Sequence, residues 1–98
     1  MADSAPSIEK LIYKYFKDDY QIAKAIATAE SQLRPISYHR NSNGSTDCGL
    51  FQINSIHQPT KEQCEDPEEN TRMAYQIYQK SGFRPWTTFV SNKYLAYL

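Results

Sequence analysis

The hydrophobic pattern of the chain changes its period once, between Ser37 and Asn54, and this change limits the fold more than any other feature of the sequence. On both sides of that segment apolar residues recur at intervals of three and four, which predicts helices. Within it, the pair Asn43-Gly44 can supply the two positive-φ positions of a type I′ turn, which predicts a hairpin. We therefore expect an α+β fold that is mainly α, with about four to five helices and one small β-hairpin.

Two helices are predicted before the hairpin. The first runs from Ser7 to about residue 17, because apolar side chains recur from Ile8 at i, i+3, i+4, i+7 and i+8. The second begins after Asp18, which stands in a variant of the reciprocal capping arrangement. It ends near Leu33, because Pro35 disfavours helical geometry in the residue before it.

Three more segments are predicted after the hairpin. Residues 58–65 are expected to form a loop with one short helical turn begun at Thr60. The run Asp66–Glu69 contains an N-cap, a proline at the first helical position and a capping-box glutamate, and Gly82 is suited to end the helix that follows. The tail from Trp86 has apolar residues at near-helical spacing, which predicts a last helix.

The charge balance disfavours a nucleic-acid-binding protein, and the hydropathy disfavours a membrane-spanning one. A chain of 98 residues fits one domain, residues 1–98, and eleven basic against eleven acidic residues leave no basic surface for nucleic acid. The chain has no apolar run of about 18 residues, and MADSAPSIEK lacks the layout of a signal peptide. We expect a monomer that binds neither nucleic acid nor membrane. A secreted protein after signal removal would have the same features.

The two cysteines, Cys48 and Cys64, are too few for a disulfide scaffold and lack the paired spacing of a zinc site. Either they are two small buried side chains, or they form one disulfide in an oxidising compartment. Such a bridge would close a loop of about 17 residues and stabilise the fold by about 3 kcal/mol on the chain-entropy model. No metal site and no cofactor are predicted.

Glu30 stands on the apolar stripe of the second predicted helix, four residues after Ile26. Burial and the negative end of the helix dipole would both raise its pKa, and a protonated carboxyl near neutral pH is a candidate general acid. The alternative is that Glu30 points outward or pairs with Arg34. The hairpin favours the first interpretation, because it returns a second acid, Asp47, beneath the same helix end. Two acids in unlike surroundings suit glycosidic cleavage.

Two parts of the sequence resemble the lysozyme superfamily, over roughly residues 20–90. Glu30-Ser31, Arg40-Asn41, Gly44–Asp47 and Gly49–Ser55 are similar to the active-site region of c-type lysozymes, close to NRN-x-x-GSTD-x-G-[IL]-x-QINS after a helix that ends in Glu-Ser. The downstream half resembles the small transglycosylase-like branch, whose DPxxN, AY and GWxPW features match segments of residues 66–86. Thr71 and Phe83 depart from that branch, and the four disulfides of animal lysozymes are absent, which favours a microbial or phage origin.

The resemblance implies a lysozyme-like fold and a peptidoglycan-cleaving glycosidase. Its substrate would be the β-1,4 bond between N-acetylmuramic acid and N-acetylglucosamine in peptidoglycan glycan strands. Glu30 would protonate the leaving oxygen as the general acid. Asp47 would be the second carboxylate, which stabilises or captures the oxocarbenium-like sugar.

The resemblance also implies residues that bind substrate: Gln52 and Asn54 match polar positions that line the family's sugar cleft, and Trp86 aligns with a tryptophan that packs on its catalytic acid. Tyr75 is predicted to reach the same cleft from the helix of residues 67–81. Strict alternation would put Gln52 and Asn54 on the face opposite Asp47, so a bulge or break at Gly49 is expected. For three of these residues a structural role is the alternative: Gln52 would bind backbone groups of a bent hairpin, Tyr75 would lie in the core or at the surface, and Trp86 would pack in the core. His57 and His39 are expected to be exposed, and His57 could rim the groove.

Two other functions stay open from the sequence. A lytic transglycosylase would use Glu30 alone as acid and then base and would release anhydro-muramoyl products, which the downstream half favours. A non-catalytic glycan-binding module is also possible on this scaffold, although such modules commonly lose one or both acids and this chain has both. In either enzyme we expect an extracellular, periplasmic or cell-wall location, or a phage protein released at lysis.

Overall fold

The computed structural model describes residues 7–98 of the chain, in which five α-helices surround one small antiparallel sheet. The predicted absence of a signal peptide rests partly on residues 1–6, which lie outside the described residues. Three short 3-10 segments connect or end the elements, at Lys17–Asp19, Ser55–His57 and Lys93–Tyr97. The helices are α1 Ile8–Phe16, α2 Tyr20–Ser31, α3 Lys61–Glu65, α4 Pro67–Ser81 and α5 Thr87–Val90, and the strands are β1 Tyr38–Arg40, β2 Thr46–Cys48 and β3 Ile53–Asn54. The fold is α+β and mainly helical, as expected.

The first two helices form where the apolar periodicity predicts them, but the start and the end of α2 differ from expectation. Asp18 lies inside the 3-10 segment and caps nothing; Asp19 is the N-cap residue, and its carboxylate accepts a hydrogen bond from the Tyr78 hydroxyl instead of from the helix. The helix ends at Ser31, because Gln32 and Leu33 both take left-handed conformations, with φ of 56° and 61°. Pro35 is therefore not the residue that stops it.

The sheet has three strands in the order β1-β2-β3 and not the single predicted hairpin. The type I′ prediction is wrong, because only Gly44 has a positive φ and Asn43 does not. The side chain of Asn43 supports a longer loop instead: its Oδ1 accepts hydrogen bonds from the backbone N–H and the hydroxyl of Ser45, at 2.9 and 2.7 Å. Asn41 and Ser45 close the loop through a backbone hydrogen bond of 2.8 Å.

A turn at Gly49–Gln52 separates β2 from β3, so the expected break at Gly49 is present. Glycine is required there, because φ is +80° and an added Cβ would lie 2.2 Å from Nδ2 of Asn70. Side chains from three other parts of the chain bind the backbone of this turn. Ser31 donates to the Leu50 carbonyl at 2.7 Å, Asn70 accepts from the Phe51 N–H at 2.7 Å, and the Trp86 indole donates to the Phe51 carbonyl at 2.9 Å.

Cys48 and Cys64 form a disulfide that joins β2 to α3, which decides between the two alternatives for these residues. The helical turn predicted at Thr60 is present as α3, with a complete capping box between Thr60 and Gln63. The disulfide and the buried Asn70, which donates to the carbonyls of Cys48 and Gln63, tie the sheet to the start of α4.

The longest helix, α4, begins as predicted, with Asp66 accepting from the Glu69 N–H at 2.9 Å and Pro67 at the first position. It ends at Gly82, where φ is +65°. The tail does not form one helix, because Asn92 has a φ of 66° and separates α5 from the 3-10 segment that follows.

One hydrophobic core lies between the helices and the sheet, and it is rich in aromatic rings. Its buried members are Ile12, Phe16, Ala23, Ile26, Ala27, Cys48, Leu50, Phe51, Ile53, Ala74, Phe83 and Trp86. Phe51 stacks on Phe16 at 5.6 Å between ring centroids and meets Trp86 edge-on at 6.2 Å. None of the helices described here combines the length and the apolar character that crossing a bilayer requires.

Candidate active site

An open cleft of about 420 Å³ lies between the end of α2, the sheet and the segment before α5. It is lined by Glu30, Asn41, Asn43, Ser45, Asp47, Gln52, Ile53, Asn54, Ile56, His57, Ile77, Pro85, Trp86 and Thr87. The two acids predicted from the sequence therefore face one space, although 16 residues separate them in the chain. The turn at Gly49–Gln52 brings them together. Its Leu50 carbonyl accepts a hydrogen bond from Ser31, which is next to Glu30, and the turn directly follows β2, which carries Asp47.

Glu30 occupies the last turn of α2 and is half-buried. One carboxylate oxygen, Oε2, accepts a hydrogen bond of 2.9 Å from the hydroxyl of Thr88 on α5. The alternative partner, Arg34, donates to Gln32 instead. The apolar side of α2 thus directs the Glu30 side chain into the cleft, in agreement with the helical periodicity.

The pKa of Glu30 is raised above its ordinary value, chiefly because burial disfavours the charged carboxylate. Asp47 raises it further through the repulsion of like charges. The hydroxyl and backbone amide of Thr88 and the positive charge of Lys93 act in the opposite direction. The balance favours a carboxyl that keeps its proton to a higher pH than a solvent-exposed glutamate, which is the property that a general acid needs.

Asp47 lies in polar surroundings on β2. Its Oδ1 accepts a hydrogen bond of 2.8 Å from the amide of Asn54, its partner across the sheet, and its Oδ2 accepts one of 3.1 Å from the amide of Asn41. Both amides also donate to the hydroxyl of Ser45, at 3.2 and 3.0 Å. The carboxylate is therefore fixed in orientation by two neutral donors at the sheet wall of the cleft.

The two polar residues after the turn line the cleft as predicted but make different contacts. Asn54 lies directly opposite Asp47 in the β2–β3 pairing, because the turn at Gly49 cancels the strict alternation. The amide of Gln52 donates to the carbonyls of Gly49 and Ser37, at 3.0 and 3.2 Å. Gln52 therefore has the structural role considered for it and also borders the cleft, whereas Asn54 contacts a candidate catalytic group directly.

The two aromatic candidates differ in position. Trp86 is only 5% exposed, packs edge-on against Phe51 and presents one side to the cleft, so core packing and a place in the site are combined. Tyr75 does not line the cleft, which corrects its predicted position. Its ring packs instead against Phe16 and Tyr78, at 5.3 and 5.9 Å between centroids, because its side of α4 faces α1.

Two residues near Glu30 were missed from the sequence, Thr88 and Lys93. Both lie in the tail, where the periodicity predicted an uninterrupted helix and gave no reason to place a hydroxyl on a carboxylate. His57 is exposed and lines the cleft, and His39 is exposed on β1. Within residues 7–98 no group of three histidine, cysteine, aspartate or glutamate side chains is placed to hold a metal ion.

Comparison with known proteins indicates a lysozyme-like domain, as the sequence motifs do. Residues 15–88 match the sequence family described as a lysozyme-like domain. A segment of 44 residues is 46% identical to the Invasion protein IagB of Salmonella typhimurium (strain SL1344) and of Salmonella typhi. That segment is 45% of this chain and 28% of each Salmonella protein. With three quarters of its length inside the family pattern, the chain belongs to the lysozyme-like domain family.

Proposed function

We propose that this chain cleaves the β-1,4 bond between N-acetylmuramic acid and N-acetylglucosamine in peptidoglycan, by hydrolysis, as a muramidase. The observation that carries the proposal is the pairing of unlike carboxyls in one cleft. Glu30 is half-buried and its pKa is raised, whereas Asp47 is bound by the amides of Asn41 and Asn54. Two acids in unlike surroundings can take the two roles that glycosidic cleavage requires.

In this reaction protonated Glu30 gives its proton to the glycosidic oxygen as the bond to the sugar carbon breaks. Asp47 lies on the sheet wall, where its negative charge stabilises or captures the oxocarbenium-like sugar. A water molecule then adds to that carbon and gives a proton to the ionised Glu30; where Asp47 has captured the sugar, the water displaces the Asp47 carboxylate. The likeness of the hairpin to c-type lysozymes supports these roles.

The remaining lining suits a sugar chain. Asn54 and Gln52 carry amide groups that can bind N-acetyl and hydroxyl groups, and Trp86 offers an indole surface on the apolar side. Because both contacts of Gln52 use its Nε2, its carbonyl oxygen is the group it would offer to a sugar. We propose that the protein acts as a monomer at the cell wall, in an extracellular or periplasmic compartment or after phage lysis.

The test is mass spectrometry of the fragments released from purified peptidoglycan. Hydrolysis adds one water to each cleaved bond, so we expect reducing muropeptides from the wild type and far fewer from Glu30→Gln. Asp47→Ala should lose most of the rate. A full hydrolytic rate in Asp47→Ala would overturn the two-carboxylate mechanism.

A lytic transglycosylase is the second candidate, and the resemblance of residues 66–86 to the transglycosylase-like branch favours it. Both oxygens of Asp47 are already engaged by Asn41 and Asn54, which is also what a purely structural carboxylate in the loop would show. In this reaction Glu30 first protonates the leaving oxygen as the glycosidic bond breaks. The 6-hydroxyl of the muramic acid then attacks its own anomeric carbon, and the ionised Glu30 takes the hydroxyl proton. No water is added, so a dominant anhydro product would replace our first choice with this one.

A further inference from the structure

Thr88 contacts the candidate general acid directly, and its position is fixed. It is 9% exposed, and its hydroxyl lies 2.9 Å from Oε2 of Glu30. The residue belongs to α5, whose first backbone hydrogen bonds are made by Phe89 and Val90 to the carbonyl of Trp86, at 3.0 and 3.2 Å. Trp86 is in turn bound to the carbonyl of Phe51. The hydroxyl therefore reaches Glu30 from a segment that the core holds in place.

The two oxygens of Glu30 are made unequal by this contact. A carboxylic acid carries its proton on one oxygen and accepts hydrogen bonds best on the other. Because the hydroxyl of Thr88 donates to Oε2, the arrangement of lower energy has the proton on Oε1. A general acid must have its proton within hydrogen-bond reach of the leaving oxygen, so the choice of oxygen matters as much as the pKa.

We infer that Thr88 is a positioning residue, which binds Oε2 of Glu30 and reserves Oε1 as the oxygen that delivers the proton to the substrate. This role rests on the proposed function. Without the hydroxyl, Oε2 loses this donor and the proton can lie on either oxygen, which lowers the fraction of complexes ready to react. It would also remove an interaction that favours the ionised form, so the pKa of Glu30 would rise further.

The first experiment needs no activity. The pKa of the Glu30 carboxyl is measured by carbon-13 NMR titration in the wild type, in Thr88→Val, which has nearly the same shape without the hydroxyl, and in Thr88→Ser, which keeps it. We expect a higher pKa in Thr88→Val and the wild-type pKa in Thr88→Ser. The other titrating or charged groups that face Glu30 are Asp47 of β2 and Lys93 of the C-terminal 3-10 segment, and neither is changed. Equal pKa values in all three proteins would overturn the inference.

The second experiment measures the pH dependence of peptidoglycan cleavage. In Thr88→Val we expect kcat to fall about ten- to a hundredfold and the alkaline limb to move to higher pH, because the acid stays protonated longer. Thr88→Ser should stay within about threefold of the wild type. A loss of rate with an unmoved alkaline limb, or an equal loss in Thr88→Ser, would assign Thr88 a packing role only.

Two further results separate the possible failures. If Thr88→Val does not fold, Thr88→Ala takes its place in both experiments. Alanine removes the hydroxyl together with the γ-methyl group and adds no new methyl group. If the wild type releases no fragments at all, the proposed function fails, while the NMR titration still decides whether Thr88 binds and tunes Glu30.

Discussion

The two walls of the cleft hold their acids in opposite ways. On the helical wall, which comprises the end of α2 and residues 85–88, Glu30 has one hydroxyl partner and loses much of its contact with water. On the sheet wall, which comprises Asn41, Ser45, Asp47 and Asn54, the carboxylate accepts two amide hydrogen bonds. The two carboxyl groups therefore differ in their surroundings: that of Glu30 is largely removed from water, and that of Asp47 is held by two polar donors.

The largest effect is expected from the helical wall. Glu30→Gln keeps the acceptor for Thr88 but has no proton to give, so peptidoglycan cleavage should fall about 100- to 10,000-fold, the range that general acid catalysis contributes. The matched control is Glu62→Gln, which alters an exposed acid of α3. Release of soluble muropeptides measures both. Comparable loss in the two variants would show that Glu30 has no special role.

Both walls depend on the turn at Gly49–Gln52, so the next prediction concerns its glycine. Gly49→Ala combines a left-handed conformation with a Cβ that would lie 2.5 Å from the Cys64 carbonyl and 2.2 Å from Asn70. We expect a loss of about 2–4 kcal/mol in the free energy of unfolding, measured by urea denaturation. Gly44→Ala is the control, because its φ is also positive but no atom lies within 4 Å of the new Cβ; it should cost about 1 kcal/mol. Equal losses of unfolding free energy in the two variants would show that Gly49 is needed only for its positive φ and not for the lack of space around it.

The sequence predicted the position of Glu30 and the start of α4 from local information. The apolar stripe of α2 put Glu30 toward the core, and the start of α4 at Asp66-Pro67 needed only neighbouring residues. The type I′ turn predicted at Asn43-Gly44 is wrong because of a side-chain contact. The side chain of Asn43 binds Ser45 and stabilises a longer loop in place of the tight turn that this dipeptide favours. Local rules fail where a single side chain can satisfy the backbone in another way.

Local sequence rules do not predict the contacts that join the two walls. Ser31, Asn70 and Trp86 all bind the backbone of one turn, yet each lies 19 or more residues from its partner in the chain. Thr88 reaches Glu30 across a separation of 58 residues. No periodicity or capping pattern specifies these distances, so the resemblance to lysozymes, and not the pattern, indicated that Trp86 belongs near the acid.

A smaller effect should distinguish the amides of the sheet wall. Asn41→Ala removes the donor to Oδ2 of Asp47, whereas Asn43→Ala alters a neighbouring loop amide that contacts Ser45 and not the carboxylate. If Asp47 takes part in hydrolysis, Asn41→Ala should lower kcat about five- to tenfold, the value of about one hydrogen bond, and Asn43→Ala should lower it less. A loss of equal size in both would show that the loop shape matters and the contact with Asp47 does not.

The smallest effect concerns stability and follows from the raised pKa of Glu30. Below its ordinary value of 4.5 the carboxyl is protonated in both the folded and the unfolded chain, and it leaves stability unchanged. As the pH rises from there toward the higher folded-state pKa, the unfolded chain releases its proton first, so the folded state loses stability. Above the folded-state pKa that loss is complete. A wild-type protein at neutral pH therefore bears a cost that a neutral side chain at position 30 would avoid.

Glu30→Gln should accordingly unfold at a higher urea concentration than the wild type at pH 7, and the two proteins should converge below about pH 4.5. The comparison sharpens the contrast between the walls, because the variant that loses the most activity is the one that gains stability. The amide of the substituted side chain keeps an acceptor for the Thr88 hydroxyl, so a gain cannot come from a new contact there. Equal stability of both proteins across this pH range would mean that the surroundings of Glu30 do not disfavour its charge, and the helical wall would then have no means of keeping the proton.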